Sequence, residues 1–315
     1  MPIVFMFPGQ SSRYPGMLSK LAEMSEGNLE LLQQASDLLK RDLIEHYRPS
    51  NEDQYANNKD VQIGVFLANH LFLNVLQEQG VKADYSLGLS LGEWNHLVHI
   101  GALPFEVALL SVEQRGLAYD NGPRGAMASF FPISLEELEP VIEQARALGN
   151  LEVVNLNSPR QHVVAGDPKA LDEAIRLADD ELYIEGVIIE KQVPMHASSF
   201  APVGDVFRNH LSGVDFRKPE IPYLPNRLGH IVDEPSQDLF VDLLSTHVHK
   251  PVFWRKSVDF LMEKHPDATL VEVGPKAVLY NLLDRKWHKG VQKYKTDTRE
   301  ETLAHIQEIA KSLSA

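Results

Sequence analysis

A serine stands between two glycines in the segment Gly88-Leu89-Ser90-Leu91-Gly92, directly after the short apolar run 85–87. This spacing is that of a nucleophile elbow, a sharp turn from a strand into a helix that puts the serine in an unusual backbone conformation. The residues two positions before and after the serine must lack a Cβ, because the turn brings backbone segments close together. Small residues with this spacing also occur in ordinary turns, so the rest of the chain must support the hypothesis.

The composition limits which side chains can act as a nucleophile. The chain has 315 residues, 43% of them hydrophobic, which is enough for one large domain or for a domain with an insertion. It contains no cysteine, which excludes disulfides, thiolate metal sites and a cysteine nucleophile. Serine is therefore the leading candidate for a covalent intermediate.

Charge and hydropathy exclude two classes of partner. A net charge of -14 argues against a general nucleic-acid binder, because neutralising phosphates requires concentrated Lys and Arg. No stretch approaches the ~20 continuous apolar residues of a membrane span, and residues 1–4 show no charged region ahead of an apolar one. We expect a cytoplasmic, monomeric protein without membrane or nucleic-acid partners.

The first part of the chain has an α/β pattern. The apolar run 3–7 ends in Pro8-Gly9 and predicts a buried strand stopped by a turn. A helix-prone stretch follows to residue 40, and residues 61–79 carry apolar side chains at helical spacing before the strand that leads to Ser90. A further amphipathic helix is predicted over 104–119. Strand, helix, strand, elbow and helix together indicate a parallel sheet with helices.

The middle of the chain has a different order of predicted strands and helices. Strands are predicted at 126–132, 151–156, 161–165 and 183–190, with helices after Ser134 and over 168–178. Ser134 and Glu137 have capping-box spacing. The order β-α-β-β-α-β is that of a ferredoxin-like unit. We therefore expect residues 126–194 to form a small domain inserted into a larger α/β domain of residues 1–125 and 195–315. In the second part of the larger domain, the sequence has apolar runs at 221–224 and 269–273 and predicts helices at 236–245, 252–264 and 300–313.

Eight separated segments resemble the malonyl-CoA:acyl-carrier-protein transacylase family, which includes the acyltransferase domains of fatty acid and polyketide synthases. They occur in the family's order and cover most of the chain. The segments are Phe7-Pro8-Gly9-Gln10, Gly88-Leu89-Ser90-Leu91-Gly92-Glu93, Gln114-Arg115-Gly116, Gly125-Ala126-Met127, Asn155-Leu156-Asn157-Ser158-Pro159, Val193-Pro194-Met195-His196, Pro251-Val252-Phe253-Trp254 and Glu272-Val273-Gly274-Pro275.

The resemblance implies a fold and a catalytic pair. The fold is a hydrolase-like α/β domain carrying a ferredoxin-like insertion. Ser90 is the expected nucleophile, which needs a base within hydrogen-bond reach, and His196 matches the family's base. The group that orients the base is implied to be a main-chain carbonyl in the segment 246–251. The oxyanion is implied to bind the backbone amides of Gln10 and Leu91.

Other histidines compete with His196 for a functional role, since the chain has 13 in all. A lone histidine is more often a surface or core residue than a catalyst. His96 and His99 lie on one side of a predicted helix, but two nitrogens without a third ligand are weak evidence for a metal. No metal and no cofactor are expected.

The substrate residues also follow from the resemblance. Arg115 matches the family's arginine that pairs with a carboxylated acyl group such as malonyl, a geometry that suits the planar guanidinium. Without the resemblance, a surface salt bridge is the simpler interpretation of Arg115. Asn157 and Gln161 match polar positions that line or support the site, and structural hydrogen bonding is an equal alternative. Met127 is either near the pocket or in the core.

The sequence departs from the family pattern at three places near the expected active site. Leu89 replaces a histidine that many members have before the serine, and Ser11-Ser12-Arg13 replaces the usual Gly-Ser-Gln after Gln10. Met195 stands before His196, where side-chain size is linked in the family to the choice between malonyl and branched units. The preferred acyl group is thus left open by the sequence.

The expected acceptor is an acyl carrier protein, which is acidic in this family. Because this chain is also acidic, docking requires local positive charge. The segment 285–299 is basic, with Arg285, Lys286 and Lys289 at its start, and Lys191 lies near His196 in sequence. A solvated basic face is an equal alternative to a docking surface.

Three functions are compatible with these residues. The first is a ping-pong acyltransferase in which malonyl-CoA or a related acyl-CoA acylates Ser90 and a carrier protein then accepts the group. The second is a hydrolase on the same fold that clears acyl groups from carrier proteins, for which a cationic Arg115 has no use. The third is a docking subunit with a vestigial site, against which the joint presence of Ser90, His196 and Arg115 argues.

Overall fold

The computed structural model describes residues 1–283 and 286–314. The part before residue 125 contains β1 (Ile3–Phe7), α1 (Met17–Ala22), α2 (Glu26–Leu39), α3 (Leu43–His46), α4 (Asn58–Glu78), β2 (Tyr85–Gly88), α5 (Gly92–His99) and α6 (Phe105–Asp120). The middle part contains β3 (Ala126–Phe130), α7 (Leu135–Ala145), β4 (Leu151–Ser158), β5 (Gln161–Gly166), α8 (Pro168–Leu182) and β6 (Gly186–Glu190). The last part contains α9 (Ala201–Leu211), α10 (Gln237–His247), α11 (Trp254–Lys264), β7 (Thr269–Glu272), α12 (Val278–Leu282), β8 (Gln292–Lys295) and α13 (Thr302–Ser314).

The larger part of the protein is built on a parallel sheet with strand order β2-β1-β7-β8. In β1 the residues from Val4 to Phe7 are fully buried, as expected for a central strand covered by helices on both faces. β1 and β2 run in register, with Phe7 beside Gly88. The turns that follow these two strands therefore lie side by side at the carboxyl edge of the sheet, where open α/β folds bind ligands.

The smaller part is an antiparallel sheet with strand order β4-β5-β3-β6. Helices α7 and α8 pack on one face of it around a separate apolar cluster that includes Phe130 and Val164. Ser134 caps α7 in the predicted capping box with Glu137. The element order and strand order are those of a ferredoxin-like unit.

Two backbone hydrogen bonds join the small sheet to the rest of the chain. The Leu156 amide donates to the Val252 carbonyl at 3.1 Å, and the Val252 amide donates to the Val154 carbonyl at 2.8 Å. They extend β4 by one parallel bridge to the residues just before α11. The small sheet is thereby held against the carboxyl edge of the large one.

The predicted fold class, a hydrolase-like α/β domain with an inserted ferredoxin-like domain, is confirmed, and the domain boundaries at 125/126 and 194/195 stay predictions. The apolar run 221–224 is not a strand and makes a single bridge, Tyr223 to Val232. It is apolar because Tyr223 and Leu224 are buried. The short strand β8, with the sequence Gln-Lys-Tyr-Lys, and helix α9 were not predicted. None of the described helices has the length and apolarity of a membrane span.

Candidate active site

Ser90 sits on a strand-to-helix turn that leaves no space for side chains on its two glycines. Ser90 has a positive φ of 52°. A Cβ on Gly88 would lie 2.0 Å from the Gly92 carbonyl oxygen, and a Cβ on Gly92 would lie 2.1 Å from the Phe7 carbonyl oxygen. These distances are far below any van der Waals contact, so only glycine fits at both positions. The turn has the geometry of a nucleophile elbow.

The loop before α10 supports this turn through Asn226, whose side chain is buried. The Ser90 amide donates to Asn226 Oδ1 at 2.9 Å, and Asn226 Nδ2 donates to the Gly88 carbonyl at 2.5 Å. Both bonds satisfy backbone groups that the left-handed turn takes out of the regular strand and helix pattern. One side chain therefore fixes both the serine and the glycine before it.

His196 lies within hydrogen-bond distance of the serine. Ser90 Oγ and His196 Nε2 are 2.8 Å apart, and His196 Nδ1 is 2.6 Å from the main-chain carbonyl oxygen of His247. Because a carbonyl oxygen can only accept, Nδ1 carries the proton and Nε2 is left to accept from the serine hydroxyl. The His196 amide also donates to the Val248 carbonyl at 2.9 Å, so the end of α10 holds both ring and backbone.

Burial keeps this histidine uncharged. His196 is 2% exposed. Loss of solvation, together with the neighbouring His247 and Arg115, holds the pKa of His196 well below its usual value. At neutral pH the imidazole is therefore the free base. An imidazole in this state and tautomer can take a proton from the serine.

Gln10 and Leu91 place two backbone amides beside the serine. Leu91 follows Ser90, and Gln10 follows Gly9, on which a Cβ would lie 3.7 Å from Ser90 Cβ. Neither amide donates a hydrogen bond to another group of the described residues. Asn69 holds the turn before Gln10 through a bond from its Nδ2 to the Pro8 carbonyl, at 3.0 Å. The two amides are thus available to an oxyanion at this position.

A pocket of about 180 Å³ opens over Ser90 between the two sheets. It is lined by most of the predicted site residues together with neighbours from both sheets, namely Gly9, Gln10, Ser11, Leu89, Ser90, Met127, Ser129, Asn155, Asn157, Gln161, Val163, Ile189, Met195, His196 and Val278. The Leu91 side chain is fully buried and is not part of this lining.

The wall that belongs to the small sheet is part polar and part apolar. Asn157 Nδ2 donates to Gln161 Oε1 at 3.1 Å. The buried side-chain oxygens of Asn155 and Asn157 have no hydrogen-bond partner among the described residues. Met127 and Met195 supply apolar surface at the same pocket. The wall therefore offers acceptors for N–H groups of a ligand beside a surface that suits alkyl chains.

Arg115 is buried rather than exposed, which excludes the surface interpretation. It is 1% exposed and is not among the residues that line the pocket. Its Nη1 donates to Gln62 Oε1 at 2.7 Å, and its guanidinium carbon lies 4.4 Å from the centre of the Tyr119 ring. Nη2 has no hydrogen-bond partner among the described residues. Burial lowers the pKa of Arg115, while Tyr119 and Glu93 oppose that shift.

His96 and His99 have a structural role. His96 Nδ1 lies 2.7 Å and His99 Nδ1 lies 2.9 Å from Ser86 Oγ, and the Leu224 amide donates to His96 Nε2 at 3.1 Å. Burial lowers the pKa of His96 to about 3 and that of His99 to about 4, so both are neutral. Across residues 1–283 and 286–314, no group of three or more His, Cys, Asp or Glu side chains is arranged to hold a metal ion.

Lys191 and the basic residues at the start of the segment 285–299 lie in two different places. Lys191 is exposed just after β6, two residues beyond Ile189 in the pocket wall. Lys286 and Lys289 are exposed in the turn beside α11, where Trp287 and His288 contact Asp259. Arg285 lies outside the described residues.

A second group of cations lies next to the pocket and combines Lys295 and Arg299, from the predicted basic segment 285–299, with Lys20 and Lys276, which were not predicted. Lys20, Lys276, Lys295 and Arg299 line a cleft with Asp297 as its one acid. We call this the cationic cleft. Lys276 Nζ donates to the Ser11 carbonyl at 3.2 Å, and Ser11 belongs to the pocket wall.

Comparisons with known proteins agree with this architecture. The acyl transferase domain family matches residues 4–307. The malonyl CoA-acyl carrier protein transacylase of Escherichia coli (strain K12) is 30% identical over 286 residues, 89% of this chain and 91% of the relative. The protein of the same name from Bacillus subtilis (strain 168) is 27% identical over 287 residues, 90% of each chain.

Solved structures match over the whole fold. A malonyl-transacylase in complex with its type II polyketide synthase acyl-carrier protein superposes with a TM-score of 0.87 at 27% identity, over 98% of this chain and 100% of that one. Fold and motifs together define the class of the protein, which is an acyltransferase enzyme. The chain belongs to the acyl transferase family, as its motifs predicted.

Sequence reasoning missed several residues that shape the site. Asn226 and Gln62 lie outside the recognised motifs, and nothing in their local sequence signals a role. Glu93 is part of the serine motif but was given no function, although it is 1% exposed and its Oε1 accepts from the Tyr223 hydroxyl at 2.7 Å. A glutamate in the first turn of a helix otherwise predicts an exposed N-terminal charge.

Proposed function

We propose that this acyltransferase moves a malonyl group, or a related carboxyacyl group, from coenzyme A to the phosphopantetheine thiol of an acyl carrier protein of fatty acid or polyketide synthesis. The observation that carries the proposal is the hydrogen-bonded series from Ser90 Oγ to His196 Nε2 and from His196 Nδ1 to the His247 carbonyl. The relatives named malonyl CoA-acyl carrier protein transacylase support the substrate and the acceptor.

In the first half-reaction Ser90 Oγ attacks the thioester carbonyl while His196 Nε2 takes the hydroxyl proton. The amides of Gln10 and Leu91 donate to the oxyanion of the tetrahedral intermediate, each contributing roughly 3 kcal/mol to the barrier reduction. The C–S bond then breaks, and His196 returns the proton to the leaving coenzyme A sulfur. The acyl group is left as an ester on Ser90.

The second half-reaction reverses these steps with a different thiol. His196 takes the proton of the phosphopantetheine thiol, the sulfur attacks the ester carbonyl, and the proton goes back to Ser90 Oγ as the serine leaves. Both halves need only proton transfer and oxyanion binding, so the proposed reaction uses no metal and no redox cofactor.

Arg115 is the group we assign to the acyl carboxylate. Its Nη2 is buried without a partner, and an unsatisfied buried donor costs about 1–3 kcal/mol unless a ligand satisfies it. A guanidinium can hold a carboxylate with two parallel hydrogen bonds. Because Arg115 does not line the pocket around Ser90, this assignment requires the carboxyl end of the substrate to reach past the pocket wall to the guanidinium, beside Gln62 and Tyr119.

The carrier protein is proposed to dock beside the mouth of the pocket, with Lys191 on one side and the cationic cleft on the other. The carbonyl of Ser11 joins the cleft to the pocket through Lys276. The chain as a whole has a net charge of -14, so these cations supply the local attraction that an acidic partner needs. Lys286 and Lys289, beside α11, would extend this surface.

Acyl-enzyme formation is tested by intact-mass measurement after mixing the protein with malonyl-CoA. We expect a malonyl adduct that moves to a holo acyl carrier protein when the carrier is added. Ser90→Ala removes the nucleophile and should give no adduct, whereas Ser212→Ala at the exposed end of α9 should behave as wild type. Rapid loss of the adduct to water with no labelled carrier would favour the hydrolase instead.

Replacement of Arg115 tests the recognition of a carboxylated acyl group. In Arg115→Ala we expect kcat/KM to fall about 100-fold for malonyl-CoA and much less for acetyl-CoA, because a buried charge-assisted pair is worth ~3 kcal/mol. The control is Arg176→Ala, an exposed arginine paired with Glu173 on α8. Equal losses for the two substrates in a folded Arg115→Ala protein would contradict the role.

Reversal of a charge in the cationic cleft tests the docking surface. Lys276→Glu should raise the KM for the carrier protein about 5-fold at low salt, with a smaller effect at high salt, because rim charges contribute ~1 kcal/mol and are screened. Lys169→Glu makes the same charge change on α8, which covers the other face of the small sheet. Equal KM values for the two variants would exclude the cleft.

A further inference from the structure

The side chain of His247 is buried beside the base, and the proposed mechanism gives it no task. His247 is 1% exposed. Its ring stacks on that of His196, with centroids 4.9 Å apart and planes inclined by 28°. The group of His247 that accepts from His196 Nδ1 is its main-chain carbonyl, not its side chain.

The imidazole of His247 faces a carboxylate. His247 Nδ1 lies 3.0 Å from Glu93 Oε2, with both side chains 2% exposed or less. Burial lowers the pKa of His247, while Glu93 opposes the shift. At this distance His247 Nδ1 is placed to donate to Glu93 Oε2 when the neutral ring carries its proton on that nitrogen.

Glu93 is itself fixed from its other side. Its Oε1 accepts from the Tyr223 hydroxyl at 2.7 Å and from the Asn226 amide at 3.4 Å. It belongs to the first turn of α5, three residues after Ser90. Its carboxylate therefore has a defined position relative to the nucleophile.

These contacts close a ring around the catalytic pair. It runs from Ser90 along α5 to Glu93, across to the side chain of His247, through the His247 carbonyl to His196 Nδ1, and from His196 Nε2 back to Ser90 Oγ. His247 is also the last residue of α10, where the carbonyl groups have no partner within the helix. Without an anchor, the carbonyl that orients the base would be at a free helix end.

We propose that Glu93 and the His247 side chain are a positioning pair that holds the orienting carbonyl in place relative to the helix that carries the nucleophile. The inference rests on the proposed function, since it concerns the same Ser90 and His196. It assigns a task to two side chains that do not touch the acyl group. Positioning requires a hydrogen-bond donor on the side chain at position 247, because this side chain contacts the buried carboxyl group of Glu93.

The kinetic test compares His247→Leu, which removes the donor, with His247→Asn, whose amide N–H can take the place of Nδ1–H. We expect kcat for malonyl transfer to fall about 50-fold in the leucine variant with less than a 2-fold change in the KM for malonyl-CoA. The asparagine variant should recover kcat to within about 5-fold of wild type. His249→Leu is the control, because His249 is two residues further on and its ring nitrogen Nδ1 has no hydrogen-bond partner among the described residues.

The spectroscopic test needs no substrate. In protein with ¹⁵N-labelled histidine, the Nδ1–H of His196, held to a carbonyl at 2.6 Å, should give a downfield proton resonance. This resonance should shift or broaden in His247→Leu, return in His247→Asn, and persist in His249→Leu. A merely structural role for His247 would change the melting temperature without moving this signal.

Tyr223→Phe is a milder variant in case His247→Leu does not fold. It removes only the hydroxyl that holds Glu93, and we expect a 3- to 10-fold loss in kcat at unchanged KM. Wild-type kcat in a folded His247→Leu or Tyr223→Phe protein, or an unmoved Nδ1–H resonance, would overturn the positioning pair. If Ser90→Ala still abolished the malonyl adduct in that case, the proposed function would stand without the positioning pair. If the wild-type protein formed no malonyl adduct, the proposed function itself would be wrong.

Discussion

The close packing of the turn at Ser90 against the end of β1 is the constraint on which the site depends. Gly92 lies so near the Phe7 carbonyl that any side chain there would collide with it, and Gly88 lies equally near Gly92. The serine is therefore held in a left-handed conformation that it would not choose in isolation. The same packing brings the Gln10 and Leu91 amides to the carboxyl edge of the sheet.

The histidines of the site come from a part of the chain that lies more than 100 residues after Ser90 and follows the ferredoxin-like unit. His196 and His247 meet at the end of α10 and approach Ser90 from the opposite side. Charges and dipoles act strongly here because the side chains of Glu93 and Arg115 are both buried in the same region. The proposed chemistry uses that setting twice, to keep His196 neutral and to attract a carboxylated acyl group.

The sequence predicted what local patterns can encode. Apolar periodicity located β1, α4 and the ferredoxin-like order, and the motifs around Ser90 and His196 identified residues that lie 2.8 Å apart. It could not show that Arg115 is buried, because burial is a property of the packed helices rather than of the Gln-Arg-Gly motif. Asn226 and the side chain of His247 act through long-range contacts without a local pattern, and polar β8 has none of the apolar alternation that marks a strand.

The proposed chemistry requires a buried, neutral His196 to activate Ser90, and this requirement determines how the rate of the acylation step depends on pH. The release of coenzyme A in the first turnover, with malonyl-CoA and no carrier, would be followed by rapid mixing from pH 8 down to pH 4.5. A base whose pKa is lowered stays unprotonated at neutral pH and loses activity only as the pH falls through that lowered value. We expect a constant rate from pH 8 to below 6.5, the usual histidine pKa, and a decline only at more acidic pH. A rate that halves at pH 6.5 or above would contradict it.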